Sequence, residues 1–151
     1  MAFSQTAEYA LRAMVDLARH ETVVSAEALS QRTQVPKPYL AKLLTQLSRA
    51  GLVSPVRGQN GGWRISPQGR DATIYDVLQA VDPLTRIRCC PLGLAEHRDH
   101  LCPLHAGVDA AFEAMEKSFR AMRLLDIALH DSDPVETVNR AAPVKVCRKK
   151  K

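Results

Sequence analysis

Cys89, Cys90, His97, His100, Cys102 and His105 lie within one short stretch of the chain, with Glu96 among them. Thiolate sulfur and imidazole nitrogen are metal donors, and clustered cysteines suggest metal or redox chemistry. The residues around them, from about Leu84 to Leu104, show neither helical nor strand periodicity. An aperiodic loop of that length is usually functional or disordered. The bland alternatives are a coincidental Cys89–Cys90 pair with one buried thiol, and histidines that serve only as polar loop residues. The fourth cysteine, Cys147, reads as a bystander in an unstructured tail.

The elements that must position this loop come before and after it. Ala7, Ala10, Leu11, Met14, Leu17 and Ala18 recur at helical spacing, predicting a half-buried helix over Gln5–His20, with Glu8 placed near its start where a carboxylate complements the helix dipole. Ser25 can cap a short second helix over AEALSQRT, which Val35-Pro36 ends. A third helix is predicted from Lys37 to Ala50, with Leu40, Leu43, Leu44 and Leu47 buried and Gly51 as its left-handed stop. Strands over Leu52–Val56 and Gly62–Ser66 flank a turn with three glycines. Two helices joined by a short turn, followed by a hairpin, match a winged helix-turn-helix. Trp63 is expected to pack the wing onto the third helix. Thr73 can cap a further helix over Ile74–Val81, which Asp82-Pro83 ends.

After the loop, Val108, Phe112, Met115, Phe119, Met122, Leu125 and Leu129 form a near-heptad seam on one long helix from about His105 to His130. The remaining chain is too short to cover that seam, so a second copy of the protein is the expected partner. The last residues contain two prolines and a basic cluster, and disorder is expected beyond about Asn139.

Charge is segregated along the chain. Residues 1–70 hold nine Lys/Arg against four Asp/Glu, residues 71–144 seven against twelve, and residues 145–151 five basic residues and no acidic one. A basic N-terminal part binds polyanions through counterion release, while an acidic middle is repelled by them. No apolar run approaches the roughly 20 residues needed to cross a bilayer, and the N-terminus lacks the pattern of a signal peptide. A cytoplasmic protein is expected.

Three stretches resemble the Rrf-type winged-helix transcriptional regulators, the superfamily of IscR/NsrR-like iron–sulfur and redox sensors. They are EYALRAMVDLA at 8–18, VPKPYLAKLLTQLSRAGLVSPVRGQNGGW at 35–63 and DATIYDVLQAVD at 71–82. The resemblance implies a homodimer that binds palindromic promoter DNA. It also implies a cluster site in which Cys90 and Cys102 match the first and third of three cysteines. The middle cysteine position falls at Glu96, His105 matches a histidine ligand of some relatives, and Glu8 matches a carboxylate supplied by the opposite subunit in others. Mixed ligation by Glu8, Cys90, Cys102 and His105 suits a 2Fe–2S cluster better than a 4Fe–4S cluster. Zinc, or no metal, are the alternatives.

The sequence therefore predicts a mainly α protein: a winged helix-turn-helix with a two-stranded β wing and a long C-terminal dimerisation helix. The expected organisation is a DNA-binding domain at 1–82, a sensor loop at 83–105, a dimerisation helix at 106–130 and a flexible basic tail at 131–151. Expected DNA contacts are Lys37, Pro38, Tyr39 and Lys42 on the third helix, and Arg57, Gly58, Gly61 and Gly62 on the wing. The function expected is a transcriptional regulator, a repressor, that senses redox state, iron or nitric oxide. A cluster-free regulator controlled by thiol oxidation or a protein partner is the first rival. A metal-dependent enzyme is the second, but the sequence carries no catalytic motif.

Overall fold

The structure, a computed structural model, describes residues 4–20, 22–91, 93 and 100–130. Glu96, His97, Cys147 and the expected flexible tail at 131–151 lie outside the described residues.

Helix α1 (Gln5–Arg19) starts at Ser4, whose hydroxyl accepts the Ala7 N–H at 3.1 Å. Its inner face is Ala7, Ala10, Ala13, Met14, Leu17 and Ala18, and the small alanines let neighbouring elements approach closely. Helix α2 (Ala26–Thr33) is capped by Ser25 and closes on Gln34 in the left-handed region. Helix α3 (Lys37–Arg49) buries Leu40, Leu43, Leu44 and Leu47, and Gly51 follows at φ 76. These three helices pack on one another around a shared apolar core.

Strands β1 (Val53–Val56) and β2 (Gly62–Ile65) pair antiparallel, with Val53 opposite Ile65 and Val56 opposite Gly62. The backbone of Trp63 exchanges both hydrogen bonds with Val24, each at 2.8 Å. The wing is therefore fastened by its second strand to the connection between α1 and α2, and β2 also packs on α1. This attachment adds to the packing on the third helix expected of Trp63, whose side chain is half-buried against the core. Backbone pairing, which apolar periodicity does not report, supplies it.

The short helix α4 (Pro67–Asp71) is capped by Ser66, which accepts the Gly69 N–H at 2.8 Å and donates to the Gly51 carbonyl at 2.5 Å. Helix α5 (Ile74–Val81) begins with a reciprocal box in which the Asp76 carboxylate accepts the Thr73 N–H at 2.8 Å while Thr73 accepts the Asp76 N–H.

The expected single helix from His105 to His130 is two helices, α6 (Pro103–Ala121) and α7 (Leu124–Ala128). At the break the Ile74 N–H donates to the Met122 carbonyl and the Leu124 N–H donates to the Ala72 carbonyl, each at 2.9 Å. The turn then drops Leu124 and Ala128 into the core against α1, where they are 0% and 4% exposed. Leu125 is half-buried and Leu129 is 71% exposed, but they lie on α7 and at its C-cap, beyond the turn at Met122 and off the helix that carries Val108 to Phe119. Two carbonyl and amide groups exchange helical partners for bridging ones, at little net cost. Burial of one leucine side chain contributes about 1.5–3 kcal/mol in return. Arg19 holds the end of α7 by donating to the Ala128 carbonyl at 2.9 Å.

Candidate DNA interface and sensor site

On α3 the buried leucines define an inner stripe, and Pro38, Ala41, Lys42, Thr45 and Arg49 are exposed on the opposite side. Lys42 stands near the middle of that outward face. Lys37 lies off to its side, where its ammonium pairs with the Glu27 carboxylate of α2. Both partners are more than half exposed, so the pair is weak and easily exchanged for another anion.

Tyr39 is not on the outward face. Its hydroxyl shares a hydrogen bond with the Thr6 hydroxyl of α1 at 2.5 Å, and its ring meets Tyr9 edge-on, with centroids 5.4 Å apart and planes at 82°. Tyr39, expected in the groove, is held against α1 by these intramolecular contacts. Helical phase explains it, because Tyr39 precedes the buried Leu40 and shares its flank with α1.

Arg57 and Gly58 sit in the exposed turn between the strands, and Gly58 has φ 117. Gly61 and Gly62 have a different reason to be glycine from the close phosphate approach expected of them. A Cβ at Gly61 would lie 2.6 Å from the Val56 carbonyl, and one at Gly62 would collide with the Val24 carbonyl. The absence of side chains there is required by the wing's own fold.

The sensor side is built around the start of α6. Cys102 is its N-cap residue, yet the side chain makes no capping bond. The sulfur instead lies 3.3 Å from His105 Nδ1, one turn along. Pro103, in the first turn, is tolerated because an N–H there has no helical partner. Upstream, the Gly93 N–H donates to the Cys90 carbonyl at 3.0 Å, with Gly93 at φ 63, so Cys90 opens a tight turn. The Cys90 side chain is buried, and Cys89 beside it is exposed.

Arg86 fixes this segment to α6. Its guanidinium donates to both Asp109 oxygens at 2.7 and 2.6 Å and to Glu113 at 3.1 Å, while the Ile87 N–H donates to Asp109 at 2.9 Å. The hydrogen bond from Arg86 holds the Asp109 carboxyl below the usual carboxylate range, against the opposing effect of burial. The same bond raises the guanidinium above its ordinary value. Sequence reading missed this clasp. Its only trace was a pair of acidic residues four apart on a helix and an arginine in an aperiodic loop.

Glu8 lies on the first turn of α1, where its carboxylate accepts from Arg12 at 3.0 Å. Among the described residues no three His, Cys, Asp or Glu side chains converge on a point that could hold a metal. One chain thus brings together two of the four expected ligands, Cys102 and His105. A thiol and an imidazole at this spacing suit half of a tetrahedral zinc or iron site, with the remaining donors to come from elsewhere.

Comparisons with known proteins bear on the fold and the family. The family model described as Rrf2, iron-dependent transcriptional regulator, matches residues 3–130. A protein of Aquifex aeolicus named as an HTH-type transcriptional regulator is 28% identical over 131 residues, covering 84% of this chain and 91% of that one. An HTH-type transcriptional regulator of Mycobacterium tuberculosis is 40% identical over 96 residues, covering 62% of this chain and 60% of that one. Among solved structures, T. potens IscR superposes with a TM-score of 0.68 at 25% identity, covering 84% of this chain and 85% of that one. CymR, the global cysteine regulator of B. subtilis, superposes with a TM-score of 0.70 at 22% identity, covering 85% and 96%. The likeness to CymR is one of fold.

Proposed function

This chain belongs to the Rrf2 family of transcriptional regulators, and from that membership we propose that it binds palindromic promoter DNA as a homodimer and answers to a signal received beside Cys102 and His105. The family consists of DNA-binding regulators, not enzymes. No helix among the described residues is long and apolar enough to cross a membrane.

The observation that carries the proposal is the Cys102–His105 pair at the start of α6, a helix with no buried residue of its own. Val108, Phe112 and Met115 offer an apolar strip for a second α6 to cover, which would bring the two subunits together along the helix that carries the ligand pair. Cys102 and His105 would hold an iron–sulfur cluster, with Cys90 and the opposite subunit's copy of Glu8 completing the set, and 2Fe–2S favoured. When bound, such a cluster supplies a change of charge or ligation on reduction, oxidation or attack by nitric oxide. Arg86 and Asp109 keep the Cys90 segment against α6, so a change at the thiols is passed to that helix. Lys42, Pro38 and Lys37 face the major groove, and Arg57 and Gly58 reach the adjacent backbone. Two subunits place two copies of α3 on the two half-sites.

A second reading is supported by Cys89, an exposed thiol next to the buried Cys90, and by the CymR structures, one named as a global cysteine regulator and another as an oxidized form. In that reading thiol oxidation alone, without a cluster, alters DNA affinity. Anaerobic purification from iron-replete cells, with iron and sulfide assays and a visible spectrum, separates the two. Iron, sulfide and an absorbance that Cys102→Ser or His105→Ala abolishes are expected. Colourless, iron-free protein whose DNA binding still changes with thiol oxidant would replace the cluster with the thiol mechanism. Loss of specific duplex binding in every state would sink both.

A further inference from the structure

We propose that the Thr6–Tyr39 hydrogen bond sets the position of α3 on DNA, making these two side chains positioning residues for recognition rather than DNA contacts. The inference rests on the DNA-binding reading above. The first turn of α3 has no side-chain cap: Pro36 is its N-cap residue and supplies none, whereas Ser4, Ser25 and Thr73 cap α1, α2 and α5. Besides the buried Leu40 and the exposed Lys37–Glu27 pair, that turn is tied laterally to α1 by Tyr39, bonded to Thr6 and set edge-on against Tyr9. Tyr9 is held in turn by Gln5, whose Nε2 donates to its hydroxyl at 2.8 Å.

Helix-turn-helix proteins contact base edges with the N-terminal residues of the recognition helix. Lys42 stands less than one turn beyond Tyr39, and hydrogen bonds to bases weaken steeply with misalignment. A tether at Tyr39 therefore controls whether Lys42 meets its partner. The tether's other end is the turn of α1 that carries Glu8, so the acidic residue and the recognition helix move as one piece.

The test is a double-mutant cycle on the full chain, read by fluorescence anisotropy with a duplex selected from a random library by the wild-type protein. Thr6→Val and Tyr39→Phe each remove one hydroxyl and keep the shape of the side chain. Each is expected to weaken binding roughly 2- to 13-fold, the loss of about one hydrogen bond. The double variant should be no weaker than the weaker single one, because both lose the same bond. The slope of affinity against salt should stay unchanged, since the same phosphates remain neutralised. Circular-dichroism melts of the variants check that each is folded. If Tyr39→Phe weakens binding and Thr6→Val does not, Tyr39 touches DNA itself and the proposal is overturned. Losses that multiply in the double variant, or an unchanged affinity in both singles, overturn it as well. Wild-type protein that selects no duplex removes the DNA-binding reading, and the positioning role with it.

Discussion

Lys42 and Arg57 differ from the other expected contacts in what holds them. Lys42 is exposed on the outward face of α3 and Arg57 on the turn of the wing, while Lys37 is already paired with Glu27 and Tyr39 with Thr6. Replacing Lys42 with alanine should weaken binding to the selected sequence and relax specificity, whereas replacing Arg57 should weaken DNA binding across all sequences and lower the salt slope by about one. Parallel lines in a plot of affinity against salt would remove Arg57 from the interface. Gly62 makes a different prediction, because its close neighbour is the Val24 carbonyl and not DNA. Gly62→Ala forces the strand from its bridge and should cost about 1–3 kcal/mol of stability, as overpacking does. Urea unfolding measures it, and a variant with normal stability but no DNA binding would return Gly62 to the interface. Asp109 sets a pH dependence. Its folded carboxyl titrates below its unfolded value, so the stability it contributes is fully present above the unfolded value and is lost as pH falls through the folded one. Asp109→Asn should therefore be less stable than wild type by a constant margin from neutral pH to about pH 5, and the margin should close below about pH 4. A margin independent of pH would show that the clasp acts through shape and not charge.

At the scale of elements, α6 and α7 divide one apolar pattern between two purposes. Leu124 and Ala128 belong to the core with α1, while on α6 Val108 is exposed, Phe112 and Met115 are half-buried, and Phe119 packs on the core. The break can be tested without touching function. Leu124→Ala should cost about 2–5 kcal/mol, as for a buried leucine, and Leu129→Ala close to nothing. Thermal unfolding of the pair reads the difference, and equal costs would favour the continuous helix. The helix-turn-helix and wing were legible because each depends on local signals: a leucine stripe, a serine or threonine cap, glycines at a turn. The break after Ala121 was not, because the residues that cause it, Ala72 and Ile74, are about fifty positions away and act through backbone groups that every residue carries. A heptad pattern that runs on through Leu125 and Leu129 then gives no warning.

At the scale of the whole molecule, an acidic middle at 71–144 and a basic N-terminal part at 1–70 share one chain, and the proposed dimer rests on the apolar strip of α6. Phe112→Glu places a charge in the middle of that strip without touching the described core. If α6 carries the proposed subunit contact, sedimentation should show the wild type as a dimer and the variant as a monomer, and operator affinity should fall because one half-site is lost. A Phe112→Glu variant that still sediments as a dimer would move the subunit contact elsewhere. By itself the sequence determined the winged helix-turn-helix, the order of its first elements apart from α4, their ends to within about one residue, and the stretch where ligand-type residues cluster, since these follow from periodicity, caps and turn residues close together in the chain. Only the tertiary structure decided that Tyr39 serves α1, that the wing hangs on Val24, that Arg86 clasps α6, and that Cys102 and His105 meet while Glu8 is held by Arg12. Of these, the first three join residues far apart in sequence. Their pairing depends on which surfaces the packed helices bring together, and neither residue type nor spacing encodes that.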